Sequence, residues 1–308
     1  MTELTPSEIR SPGPTGSRPD VVAIGGGHGL ANALRAVCRY AGNVTAIVTV
    51  ADDGGSSGRL RRDLGIVPPG DLRKALVAMA DERDVWPRTF EHRFDDGELA
   101  GHAVGNLILA ALFETTGDVV AALDEAGRLV GSRGRALPAT AEAVVLKADI
   151  EGRAVEGQVA VATAPGRINR VMVVPADVRP VPDAVAAIAA ADQVVLAPGS
   201  LYTSVLAVMV VQGLAEAVRT APGQVVQVGN LRVQDAETAG MDAADHLQAI
   251  LDHGGRVDVY VAPTGGALTV DPGRIRALGA EAVTAAVAAP HAVEHDPDRL
   301  AIALAALL

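Results

Sequence analysis

The sequence predicts an α/β protein built on an open, mainly parallel sheet with helices on both faces, and three observations carry that expectation. From Asp20 onward, short β-branched runs alternate with longer helical ones, the pattern of parallel strands joined by crossover helices. Runs such as VVAIGGG, QVVLAPGS and GQVVQVGN each end in a glycine- or proline-bearing turn and are each followed by helical sequence. The chain is 49% hydrophobic but only 2% aromatic, so its core must be made of Ala, Val, Leu and Ile, which suits helices packed closely on a sheet. At 308 residues it can bury a full core as one large domain or two smaller ones.

The elements follow in order. Residues 1–19 carry no apolar stretch of the kind a secretory signal needs and are rich in Pro, Ser and Gly, so a disordered tail is expected before an α/β domain spanning 20–308. VVAIGGG is a strand entering a glycine turn, GLANALRAVCRYAG the helix that leaves it, ended by Gly42, and VTAIVTVADD the second strand. From about 69 to 131 the periodicity is helical (PGDLRKALVAMAD, AGHAVGNLILAALFETTG, DVVAALDEAGRLVG), which reads as a helical block inserted after that strand. In AVVLKADIEGRAVEGQVAVATA two alternating apolar runs flank EGR, an antiparallel hairpin at a sheet edge or in a small subdomain. INRVMVVPAD is a further strand, and the parallel pattern resumes with QVVLAPGS, GQVVQVGN and VDVYVAP. LYTSVLAVMVVQGLAEAV has an apolar core shorter than the ~20 residues that cross a bilayer, so it is expected to be one buried helix and not a membrane insertion.

Composition also limits the partners. A net charge of -11 argues against broad nucleic-acid binding, because neutralising phosphates requires a basic face. Acidic ligands must then be met by local groups such as helix N-termini or a few arginines. The single cysteine, Cys38, cannot form an internal disulfide and lies in the apolar pattern LANALRAVCRYAG, so it reads as a small core residue, and the cytoplasm is the expected compartment.

Open α/β sheets bind ligands where their strands end, and four strand ends here are rich in glycine or polar residues. In GGGHGL, residues Gly25, Gly26, Gly27, His28 and Gly29 put backbone N–H groups at a helix start with little side chain to block a phosphate. The segment is not the dinucleotide fingerprint, since Leu30 stands at the third glycine position, and it lacks the lysine of a P-loop. In ADDGGSSG, residues Asp52 and Asp53 precede Gly54, Gly55, Ser56 and Ser57, which can form an N–H nest; the aspartates can accept from a ribose or base, or hold Mg²⁺. Asp71 is read as a helix-capping residue. His102 and Asn106 are four apart and share one face if their helix is continuous. In APGSLYTSV, residues Pro198, Gly199, Ser200, Thr203 and Ser204 repeat the phosphate-loop logic as a second subsite, and Asn230 ends the next strand.

Together AIGGGHGL, AIVTVADDGGSSGRLRRDLGIVPPGDLRKALVA, ELAGHAVGNLILAAL, LAPGSLYTSV and AETAGMDAADHLQAIL resemble the YvcK-like gluconeogenesis factor family, which is related to the 2-phospho-L-lactate transferase CofD. The resemblance spans nearly the whole chain after the tail. It implies a CofD-like, Rossmann-like α/β fold, cytoplasmic residence, and a role in gluconeogenic growth, cell-wall morphogenesis and cell shape. It also implies binding of a UDP-sugar such as UDP-N-acetylglucosamine at the glycine, aspartate, serine and asparagine residues named above. Several positions depart from the family pattern: His28 stands where many relatives have Thr, NLRVQDAETAG lacks a Cys or Met, Ala277 replaces an aromatic and Glu294 a base. The resemblance leaves two readings open. One is a regulatory protein without a resident cofactor, whose bound nucleotide sugar changes its contacts with a cell-wall synthesis protein. The other is a CofD-type transferase of a phosphorylated group from a nucleotide donor, with Mg²⁺ on Asp52 or Asp53. Either is compatible with a homo-oligomer.

Overall fold

Val21, Val22, Ala23 and Ile24 are no more than 2% exposed, as expected of a central parallel strand covered on both faces. In the computed structural model, which describes residues 2–3, 18–234 and 236–308, these residues form β2 (Asp20–Gly25). A two-residue strand β1 (Thr2–Glu3) precedes it; of the tail expected at 1–19, residue 1 and residues 4–17 lie outside the described residues. Helix α1 (Gly27–Tyr40) leads to β3 (Asn43–Val48), and the helical block follows as α2 (Gly55–Leu64), α3 (Gly70–Ala78), α4 (Val85–Glu91), α5 (Val104–Thr116) and α6 (Val119–Val130). The block then enters β4 (Arg135–Pro138).

The hairpin is present, with a narrower outline than the alternation suggests. Strands β5 (Val145–Ile150) and β6 (Arg153–Glu156) are joined through Glu151 and Gly152, both at positive φ (52° and 83°), as a two-residue hairpin turn demands. The second apolar run stops at Glu156 and continues as helix α7 (Gln158–Thr163), while β7 (Ile168–Val174) pairs with β5. These three strands make a separate antiparallel sheet in the order β6-β5-β7.

After α8 (Pro182–Ala190) comes β8 (Gln193–Leu196). The apolar run that follows is buried as expected, but it is not one helix. A π-helical turn Leu201–Val205 runs into α9 (Leu206–Met209), the chain bends by 83°, and α10 (Leu214–Thr220) resumes after Gly213, which takes the positive φ of the bend. Among the described residues no single helix is long and apolar enough to cross a membrane. The chain closes with β9 (Gln224–Val228), α11 (Ala243–Asp252), β10 (Val259–Pro263), α12 (Pro272–Ala277), β11 (Glu281–Ala285) and α13 (Pro297–Ala305). Cys38 is half-buried and packs against the core.

The large sheet has the order β1-β11-β10-β9-β8-β2-β3-β4, and every neighbouring pair is parallel. β4, at one edge, and β11, between β10 and β1 at the other side, carry RALP and EAVTA, which together hold one Val and no Ile and so lack the Val- and Ile-rich run that marks the strands between them. From β2 the chain winds outward through β3 to β4, then returns to the other side of β2 and winds outward from β8 to β11. The direction of winding therefore reverses between β2 and β8. The carboxyl ends of those two strands flank the switch-point crevice where sheets of this type bind ligands.

Candidate functional site

At the switch point the loop after β2 and the loop after β8 touch backbone to backbone. A Cβ built on Gly29 would lie 1.8 Å from the carbonyl oxygen of Pro198, so no other residue fits there without moving one of the two loops. Beside this contact is a cleft of about 260 Å³ whose walls include His28, Gly29, Pro198, Gly199, Asn230 and Arg232. The Gly199 N–H donates to Asn230 Oδ1 at 2.6 Å, and Asn230 Nδ2 donates to the Gly199 carbonyl at 2.9 Å. This reciprocal pair ties the end of β9 to the β8 loop and fixes the orientation of the amide. Behind it, burial lowers the pKa of His295, whose Nε2 faces the Gly229 carbonyl at 3.1 Å; a neutral ring with Nε2–H as donor meets both conditions. The backbone amides of His28 and Gly29 open α1 and have no partner within the helix. Arg232 makes no ion pair among the described residues, and Glu294 accepts from Asn32 Nδ2 at 3.3 Å. The cleft is therefore suited to an anion on its amide and arginine wall and to a hydrogen-bond donor at Glu294.

Carboxylates lie on the other side of the α1 start. Asp71 is in the first turn of α3, yet it caps α1: Gly27 N–H donates to its Oδ2 at 2.9 Å, and Lys74 Nζ reaches its Oδ1 at 3.0 Å. A Cβ on Gly26 would lie 2.7 Å from Asp71 Oδ2 and 3.2 Å from Ser204 Oγ, so these three groups meet at one point. Asp52 accepts from Gly54 N–H at 3.0 Å and from the Ser57 hydroxyl; burial, with the nearby charge of Asp71, raises its pKa. Asp53 turns the opposite way and caps α7, taking the N–H groups of Gln158 and Val159 at 3.0 Å each. The two neighbouring aspartates thus diverge, and with both oxygens of Asp53 engaged they do not fit a Mg²⁺ ion held between them.

Ser56 and Ser57 fall in the first turn of α2, which begins where the sequence suggests an open loop. Ser56 Oγ faces His102 Nδ1 at 3.0 Å and accepts from Asn106 Nδ2 at 3.1 Å. The Asn106 carbonyl in turn accepts from Arg73 Nε at 3.0 Å. Arg73, only 2% exposed, also pairs with Glu91 at 2.6 Å, the partner a buried guanidinium needs. His102 precedes α5 rather than lying on it, but it and Asn106 meet on the same hydroxyl. Burial and the charge of Arg59 lower the pKa of His102. The sequence joins these residues correctly, although the result is a polar brace behind α2 and not part of the cleft lining.

Gly25, Gly26 and Gly27 thus form the turn into α1, while His28, Gly29, Pro198, Gly199 and Asn230 line the cleft and Ser204 touches its acidic side. Asp53, Gly54, Gly55, Ser56 and Ser57 do not line it. Glu237, which residue patterns do not reveal, is buried at the turn after β8. It accepts from Thr203 N–H at 2.6 Å and from Ser200, and burial raises its pKa. Its only trace in the sequence is the AETAG motif within the family resemblance. Ala277, at the end of α12, is not among the cleft-lining residues.

The fold and the cleft define a doubly wound α/β protein whose candidate site lies at the switch point of its sheet. The chain belongs to the CofD family: the family model described as 2-phospho-L-lactate transferase CofD matches residues 21–303. A relative from Mycobacterium leprae is 44% identical over 314 aligned positions, spanning 94% of this chain and 86% of its own. The gluconeogenesis factor of Bacillus subtilis is 43% identical over 242 positions, 78% of this chain and 76% of that one. A crystal structure of a UPF0052-family protein from Bacillus halodurans superposes with a TM-score of 0.88 at 36% identity, covering 94% of this chain and 99% of that one. The resemblance to the gluconeogenesis factors and the expected α/β sheet are both borne out.

Proposed function

We propose that this protein is a cytoplasmic regulatory protein that binds a UDP-sugar of the UDP-N-acetylglucosamine type and acts in gluconeogenic growth, cell-wall morphogenesis and cell shape. The observation that carries this reading is the shape and polarity of the switch-point cleft. The free amides of His28 and Gly29, the Gly199–Asn230 pair and Arg232 suit a diphosphate on one wall, and Glu294 suits a ribose, sugar or base donor. The acidic side at Asp52 and Asp71 repels phosphate, which orients the ligand with its diphosphate toward Arg232. A nucleotide-sugar-dependent contact with a cell-wall synthesis protein completes the regulatory reading.

A thermal-shift comparison tests it. UDP-N-acetylglucosamine at a hundred times its dissociation constant should add about 2.7 kcal/mol of stability, while NAD adds none. Stabilisation by NAD alone would contradict the reading. The family's transferase chemistry supports a second reading, with the Asp52–Asp71–Lys74 cluster beside the cleft as its reactive side. Breakdown of the nucleotide sugar on incubation with Mg²⁺, followed by chromatography, would favour that reading.

A further inference from the structure

The turn that follows β8 is held by a carboxylate from outside it. Glu237 is only 5% exposed. Its Oε1 accepts from Thr203 N–H at 2.6 Å and its Oε2 from the Thr203 hydroxyl at 3.4 Å, while Tyr202 N–H and the Ser200 hydroxyl also donate to it. Gln234, with its amide oriented so that both ends are satisfied, accepts from Ser200 N–H at 3.2 Å and donates to Glu237 at 3.3 Å. The N–H groups of Ser200, Tyr202 and Thr203 are those that an incoming phosphate would need at this turn, and all three are already engaged inside the protein. A carboxylate buried this deeply is costly unless several donors meet it, and here they meet it as they would a bound anion. The residue just before the turn, Gly199, is gripped by Asn230 and lines the cleft.

We propose that Glu237 is a positioning residue that serves as the resident anion of the Ser200–Thr203 turn: it takes the place a ligand phosphate would otherwise occupy, holds Gly199 and Asn230 in register for the ligand, and confines the ligand's phosphates to the α1 start and Arg232. The ligand part of this inference rests on the nucleotide-sugar reading above. Glu237 itself touches no ligand; it acts through Ser200, Tyr202 and Thr203.

Chemical rescue tests the assignment. Glu237→Ala removes the carboxylate but leaves its donors, and formate is small enough to replace it. Wild type and variant would be titrated calorimetrically with UDP-N-acetylglucosamine and melted with and without sodium formate at matched ionic strength. The variant is expected to bind about tenfold more weakly, the size of losing one charge-assisted hydrogen bond. Formate should restore most of that affinity and raise the variant's Tm, with no such effect on wild type. Glu237→Gln keeps the shape with one acceptor, so it should bind with intermediate affinity and not respond to formate; it carries the affinity comparison if the alanine variant melts below the assay temperature. Wild-type affinity in Glu237→Ala, or formate acting equally on both proteins, would overturn the proposal. If wild type binds no nucleotide sugar, the functional reading fails by itself, and the formate-dependent melt still decides whether Glu237 is the anion of the turn.

Discussion

Gly29 is the residue on which the geometry of the cleft depends most directly, because the atom its side chain would meet is a backbone oxygen at 1.8 Å rather than a movable side chain. Gly29→Ala should therefore push α1 and the β8 loop apart, lowering stability by about 1–3 kcal/mol, the usual range for overpacking. A lower Tm together with lost ligand affinity would be the signature, and an unchanged Tm would contradict the contact. Arg232 supplies charge and not shape, so Arg232→Ala should leave Tm nearly unchanged and weaken nucleotide-sugar binding by about 1.5–3 kcal/mol, read by calorimetry. His246 governs a different property. It is 3% exposed, and burial holds its imidazole at about 4, with Asp245 and Asp242 opposing the shift. Its stabilising contribution is complete above the unfolded value near ~6.5 and is lost as pH falls toward its folded value, about 3 kcal/mol at ~1.36 kcal/mol per tenfold in proton affinity. Burial lowers His253 and His295 in the same direction. Melts between pH 7 and pH 4 should show this loss, reduced in His246→Gln; an equal slope in both proteins would remove His246 as a cause.

At the scale of elements, three helical starts near the site are satisfied by carboxylates from other segments: α1 by Asp71, α7 by Asp53 and the π-helical turn by Glu237. Acids near helix starts are a local signal, which is why Asp71 and the aspartate pair attract attention in the sequence. The partner of each is set by tertiary packing, and no local pattern specifies it. The same limit explains what was legible in the fold. The strands β2, β3, β8, β9 and β10 announce themselves as apolar runs closed by turns, and the ends of β2, β8 and β9 do form the cleft. Strands β4 and β11 together hold one Val and no Ile, so no Val- and Ile-rich run marks them, and the break at Gly213 is hidden inside an apolar run. The fate of Asp53 gives a prediction at this scale. Asp53→Asn should loosen α7, costing about 0.5–2 kcal/mol as a lost cap does, with nucleotide-sugar affinity unchanged. Faster amide exchange at Gln158 and Val159 would check the first part; a large drop in affinity would return Asp53 to the ligand site.

For the whole molecule, the winding of the sheet accounts for where function is placed. Two half-sheets leave β2 and β8 in opposite directions, so the loops that follow those strands diverge in sequence while converging in space, and Gly29 meets Pro198 across a separation that no local motif spans. The acidic net charge of -11 makes the amides of His28 and Gly29 and the guanidinium of Arg232 a local exception, which suits one small anionic ligand better than an extended polyanion. The central claim is that this cleft binds a nucleotide sugar without consuming it. Calorimetric titration of wild type and Asn230→Ala with UDP-N-acetylglucosamine, in EDTA and in Mg²⁺, tests it most directly when the nucleotide is afterwards recovered by chromatography. The account predicts saturable binding by wild type that is indifferent to the metal, binding weakened about tenfold or more in Asn230→Ala through loss of the reciprocal amide pair, and the nucleotide sugar recovered intact. No binding, binding unaffected by Asn230→Ala, or metal-dependent breakdown of the nucleotide sugar would contradict it.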